Sequence, residues 1–184
     1  MLLLTLLTKA TFFSNRRGHI INVAQPVWAL DFLPQLPSKS PQTQYLAISG
    51  HPTFDNHPKI YTRDSCPNVI QIWAVELHSS GSEGRNYLAT VIFHSWGSCW
   101  GLKFCPYGAF GEGRVGLLAG VFGDGVVRVI DLRSEWLGTK ATVNVSVTEA
   151  AWKFSFGNDF LATCVSWKSY TEIVVGCSHG KLTC

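Results

Sequence analysis

The chain has 184 residues, of which 46% are hydrophobic and 15% charged, and its net charge is +3. That length fits one core of about 100–200 residues, and the charge content falls well below the roughly 25% of an average soluble domain. So small a surplus lacks the strong basic bias of a dedicated DNA-binding domain, and no run approaches the roughly 20 apolar residues of a membrane-spanning helix.

Residues 1–25 open with the apolar run Leu2–Leu7. It is shorter than the apolar part of a secretion signal, and neither a positive segment before it nor a small-residue cleavage site after it is present. A strand or the ragged start of a longer protein is expected here.

A repeat then begins. The stretches "VWALDFLP" (27–34) and "CWGLKFCP" (99–106) match at Trp28/Trp100, Leu30/Leu102, Phe32/Phe104 and Pro34/Pro106, and "ATCVSWKS" (162–169) follows the same alternation more loosely. Each reads as a strand stopped by Pro or Ser. A second apolar run follows each of them, at 45–50, 115–121 and 172–177, and then a third, at 69–75, 126–132 and the stub 181–184. A fourth is visible at 87–93 and, less sharply, at 142–147, where the glycosylation-like triplet Asn144-Val-Ser146 lies inside the expected strand. No useful helical period occurs. Four short strands per unit, repeated, is the pattern of a β-propeller blade.

The glycine-rich "GVFGDG" (120–125) sits between two of these runs. A dinucleotide fingerprint needs G-x-G-x-x-G leading into a helix, and a P-loop needs a terminal Gly-Lys-Ser/Thr. Here the glycines are in another order and a Val-rich strand follows, so Asp124-Gly125 reads as a hairpin turn at which positive φ suits both residues. His179-Gly180 holds the same place in the third unit. In the first unit, residues 50–68 are too long for a tight turn and read as a surface insertion, a common place for binding elements.

The repeats start 72 and then 63 positions apart, from Trp28 to Trp100 and on to Thr163. Both spacings exceed the about 40–45 residues of a usual blade. The expected fold is therefore all-β, an unclosed propeller fragment of about two and a half four-stranded blades: 26–94 with its insertion, 95–159, and a truncated 160–184.

The order of strands, the Gly-Asp-Gly turn and the Trp or Ile-Asp near the third strand's end resemble WD-repeat proteins, with Trp73-Ala74 and Ile130-Asp131 where Trp-Asp is usual. The series "PVWALDFLP", "QYLAISGHP", "VIQIWAVEL", "GSCWGLKFCPYGAF" and "RVGLLAGVFGDGVVRVIDL" is similar to the WD-repeat (beta) subunit of general transcription factor IIIC, chiefly over residues 26–132. The resemblance implies a nuclear scaffold subunit, bound to the other subunits of that factor. It also implies contact with promoter DNA through the complex and support of RNA polymerase III transcription of tRNA and 5S rRNA genes. The alternative is a WD-repeat adaptor of another complex, a ubiquitin ligase or a chromatin assembly.

The residues offer little for catalysis. The six histidines fall in no nucleophile or zinc-protease signature. His51, Asp55, His57 and Cys66 could in principle hold a metal, but the neighbouring prolines and irregular spacing favour an ordinary polar loop. The six cysteines form no C-x-x-C pair, and four lie in apolar runs. They read as buried free thiols of a reducing compartment. No catalytic residue, metal, cofactor, membrane or small-molecule substrate is expected.

For contacts, Lys59, Tyr61 and Arg63 place a ring between two cations on the insertion, the combination that stacks on bases beside phosphates. Arg16, Arg17, Arg128, Arg133 and Lys140 are scattered and read as ordinary solvated surface. Trp96, Trp136 and Trp152 fall outside the clearest strand cores, where two roles compete: anchors for a partner or packing of blade on blade.

Overall fold

The computed structural model describes residues 20–34, 43–52, 62–76, 86–138 and 141–184 in full, and the backbone of 7–13 and 16–19. In chain order the strands are β1 (Leu7–Phe13), β2 (Arg16–Ile21), β3 (Val27–Phe32), β4 (Thr43–Gly50), β5 (Asn68–Glu76), β6 (Tyr87–His94), β7 (Cys99–Phe104), β8 (Arg114–Phe122), β9 (Val126–Arg133), β10 (Val143–Ser146), β11 (Trp152–Ser155), β12 (Ala162–Trp167), β13 (Ile173–Cys177) and β14 (Leu182–Thr183). A single 3₁₀ turn, Ser134–Trp136, is the only helical element among the described residues.

Among the described residues, three sheets lie beyond the β1–β2 hairpin, ordered β10-β6-β5-β4-β3, β11-β9-β8-β7 and β12-β13-β14. They stack face on face. Ala29, Ala47, Ile70, Ile72 and Ile92 of the first sheet pack against Leu102, Phe104, Leu118, Phe122, Ile130 and Leu132 of the second. The other face of the second sheet, with Ala119, Val121, Val127 and Val129, packs on Val165, Ile173 and Val175 of the third. Strands buried on both faces read as continuous apolar runs instead of a clean alternation, which is why "GLLAGVF" in β8 carries no polar face. The chain is thus an all-β, open propeller fragment, with β3, β7 and β12 as the inner strands and no closed ring among the described residues.

The inner strands are tied to one another by polar groups as well. The Phe104 N–H donates to Asp31 Oδ2 at 2.8 Å, joining the first sheet to the second. The Trp167 indole N–H donates to the Lys103 carbonyl at 2.8 Å, joining the third to the second. On the far face of the first sheet, Leu46, Ile48 and Trp73 gather with Val23. Gln71 secures this layer, donating to the Val23 carbonyl at 2.8 Å and accepting from the Trp73 indole at 2.9 Å.

The expected fourth strand of the second unit is corrected. Residues 143–146, as β10, pair parallel with β6 of the first sheet, Val143 opposite Thr90 and Ser146 opposite Phe93. The fourth place in the second sheet goes to β11, antiparallel to β9 with Trp152 opposite Val129. The Thr90 hydroxyl donates to the Trp136 carbonyl at 2.6 Å and the Thr142 hydroxyl to the Leu88 carbonyl at 2.8 Å, and these bonds carry the chain back over the first sheet. Alternation marks 142–147 as a strand but does not name its neighbour.

The turn at 122–125 closes as expected, the Gly125 N–H donating to the Phe122 carbonyl at 2.9 Å. Only Gly125, at φ +80°, is left-handed, and Asp124 is not. Gly180, at φ +73°, repeats the arrangement with its N–H on the Cys177 carbonyl at 3.1 Å. The thiols divide: all six are free, Cys99, Cys105 and Cys177 are buried, but Cys164 and Cys184 are exposed. Cys164 lies on the face of the third sheet that no other sheet covers, so its burial does not follow from its place in a strand.

Candidate interaction surface

At one end of the sheets, four connections converge: the end of the insertion at 62–67, the link 95–98, the turn 122–125 and the link 156–161. Their backbones bond directly. The Asp64 N–H donates to the Gly123 carbonyl at 2.9 Å, Gly123 to Ser98 at 2.7 Å, Gly97 to Cys66 at 3.0 Å and Asp124 to Trp96 at 3.2 Å.

Arg63 is the strut of this junction. Its guanidinium donates to the carbonyls of Asp124 and Gly157, and to that of Phe160 at 3.4 Å. One side chain from the first unit thereby holds the second unit's turn and the approach to the third sheet. Lys59 and Tyr61, its companions in the sequence, lie outside the described residues, as do Asp55 and His57. Among the described residues no group of three potential metal ligands gathers.

Asp64 is organised from the same segment. Burial alone would raise its carboxyl, but bonds from the Cys66 and Ser98 side chains and backbones outweigh it and hold the group below its ordinary value. The Ser98 hydroxyl donates to Oδ2 at 2.9 Å and its N–H at 3.2 Å. Cys66 points its thiol at the same oxygen at 3.4 Å, and burial followed by that carboxylate pushes its pKa up to about 11. A thiol so held is a donor and not a nucleophile.

Behind this layer lies a cation under aromatic rings. Asp124 accepts the Val126 N–H at 3.1 Å, which fixes the turn, and takes Arg128 in a fork, at 2.9 and 2.5 Å. The Arg128 guanidinium stands 4.6 Å from the Trp96 ring centroid. Trp96 stacks on His94 at 4.9 Å and meets Phe122 edge-on at 5.0 Å. Burial, with Arg128 adding to it, drives His94 down to about 4, so the ring is neutral and its Nδ1 accepts the Trp96 N–H at 3.2 Å.

The tryptophans proposed from the sequence as contacts therefore separate. Trp96 is 4% exposed and lies in the core between the first two sheets. Its indole offers no surface to a partner, because Arg128, His94 and Phe122 occupy it. Trp136 is half-buried against the same core, its carbonyl holding Thr90. Trp152 is exposed on edge strand β11 and stacks on Phe154 at 6.1 Å. Among the cations, Arg128 is bound to Asp124, and Arg133 shares Asp131 with Arg114 at 2.8 and 2.9 Å. Local spacing does not reveal such partners, since Arg63 and its acceptors are separated by 61 to 97 positions.

Comparison with known proteins adds the family context. No family model matches the chain. It is 30% identical over 175 residues, 91% of its length, to transcription factor tau subunit sfc6 of Schizosaccharomyces pombe, of which it spans 28%. It is 31% identical over 119 residues, 58% of its length, to general transcription factor 3C polypeptide 2 of Homo sapiens and of Pongo abelii, of which it spans 13%. The chain is related in sequence to subunits of the general transcription factor IIIC.

Proposed function

We propose that the chain is a WD-repeat part of a transcription factor IIIC subunit and works as a scaffold, without catalysis and without a cofactor. The observation that carries this reading is the 30% identity to the tau subunit, which extends over 91% of the chain. Its blades are built on the units 26–94, which strand 143–146 joins from the second unit, 95–159 and 160–184, and residues 1–25 precede them. Its partners are the other subunits of that factor, its place is the nucleus, and DNA is met through the assembled complex, in support of RNA polymerase III transcription of tRNA and 5S rRNA genes.

The fold favours presentation over chemistry. Stacked sheets form a stiff support, and Arg63 ties the end of the insertion, residues 62–67, to the two later connections. Affinity purification of the full-length protein from nuclei, joined to cross-linking at tRNA genes, tests the reading. Co-purification of the other subunits of the factor and occupancy of those genes is the expected result; recovery of cullin-linked or histone-chaperone partners in their place overturns it.

A further inference from the structure

The three inner strands share an irregularity that the scaffold reading does not use. In β3, Val27 lies opposite Gly50 and Ala29 opposite Ser49, which leaves Trp28 as an extra residue. In β7, Cys99 lies opposite Phe122 and Gly101 opposite Val121, leaving Trp100. In β12, Ala162 lies opposite Cys177 and Cys164 opposite Gly176, leaving Thr163. The same bulge thus falls at the same place in all three sheets. A bulge re-aims the side chain of its extra residue, and here all three extra residues line one cavity of about 270 Å³, together with Phe122 and Leu161.

The walls of that cavity are braced. Trp28 and Trp100 have ring centroids 4.7 Å apart, tilted by 52°. The buried His51 stands edge-on to Trp28 at 3.5 Å. Trp28 nevertheless remains 45% exposed, a large apolar ring held still beside open space.

We propose that this cavity receives one apolar side chain displayed by a partner protein, with Trp28 and Trp100 as its walls and Thr163 at its edge. The lining selects that occupant. Among the described residues it contains no Asp or Glu, so a cationic head group finds no counter-charge there. Among the same residues it contains no Lys or Arg, so a nucleotide finds no phosphate contact beside the rings, which single-strand binding requires. Arg63, near Gly125 and Leu161, turns both terminal nitrogens to backbone carbonyls. The Thr163 hydroxyl donates to the Gly176 carbonyl at 3.3 Å. The volume is below the about 300–1,000 Å³ of small-molecule pockets and suits a single anchor of the kind that dominates protein interfaces.

The test is independent of the transcription-factor reading, because it asks only what the cavity accepts. The 184-residue chain, labelled with ¹⁵N at tryptophan, is titrated separately with N-acetyl-phenylalaninamide, AMP and trimethyl-lysine while the indole N–H signals are followed. The expected result is saturable movement of the Trp28 and Trp100 signals with N-acetyl-phenylalaninamide only, and a fixed Trp136 signal. Trp100→Ala and the cavity-filling Thr163→Trp each weaken binding about tenfold or more, with circular dichroism unchanged for at least one of them. Tighter binding of AMP overturns the proposal in favour of base stacking, and tighter binding of trimethyl-lysine in favour of a cation site. No movement with the acetylated amino acid, or equal movement in the variants, overturns it outright. Self-association abolished by Thr163→Trp does so too, since the occupant is then a second copy.

Discussion

The Thr90 hydroxyl, on strand β6 next to the outermost strand β10 of the first sheet, donates a 2.6 Å hydrogen bond to the Trp136 carbonyl, in the turn that follows β9 of the second sheet. Together with the parallel pairing of β10 on β6, this makes a strap from the second unit across the first. Thr90→Val keeps the shape and leaves the Trp136 carbonyl without its donor, at a cost of about 1–2 kcal/mol. Urea unfolding followed by tryptophan fluorescence and by circular dichroism measures it. Because the strap joins the two sheets, both probes shift together; a shift in one alone shows that the sheets unfold separately.

The Asp124–Arg128 fork supports the turn and the aromatic cluster at once. Side-chain exposures of 17% and 12% place the pair mostly out of water. Asp124→Ala strands the Arg128 cation beneath Trp96 and removes the acceptor of the Val126 N–H, at a cost of about 3 kcal/mol. Arg128→Met leaves a carboxylate near the surface, where water reaches it more readily, and is the milder change. Thermal melts of the two single variants and the double variant give the coupling between them, and a double variant as unstable as the sum of the singles shows that no coupling exists.

Two left-handed glycines separate strain from crowding. Gly125→Ala forces φ +80° on a residue with a Cβ, and that Cβ lies 2.5 Å from Leu161 Cδ2. Gly157→Ala imposes φ +84° with nothing within 4 Å. The second change carries the backbone cost alone, about 1–2 kcal/mol, and the first exceeds it by the displacement of Leu161. Equal losses of stability in denaturant show that Leu161 swings aside freely.

The repeating parts of this molecule were legible because their causes are local. "VWALDF", "CWGLKF" and the Asp124-Gly125 turn contain their own alternation and their own φ requirement, and all became strands and a hairpin. Residues whose roles depend on remote neighbours were not legible. Trp96 reads as a loose aromatic until Arg128, 32 positions on, is placed over its ring. Arg63 reads as a free cation until three carbonyls from two later connections close around it. The bulges at Trp28, Trp100 and Thr163 leave the alternation almost intact, so sequence shows the matched Trp pair but not where it points.

Acid tests the buried ring. His94 is driven from 6.5 to about 4 by burial and then by Arg128, whose own charge is held by Asp124. A histidine with a lowered pKa binds its proton more readily in the unfolded chain. Between pH 6.5 and about 4 the unfolded state therefore carries more protons, and stability falls as pH falls. The loss is on the order of 3 kcal/mol across that window, at about 1.4 kcal/mol per pH unit. Asp64 acts lower: its depressed carboxyl contributes stability above the ordinary value of 3.8, lost as pH drops through the folded-state value. His94→Gln removes the slope between pH 6.5 and 4 and leaves the acid limb of Asp64 in place. Denaturant midpoints measured in steps from neutral pH to about pH 3 resolve the two limbs, and an unaltered slope in the variant assigns the acid sensitivity to another group.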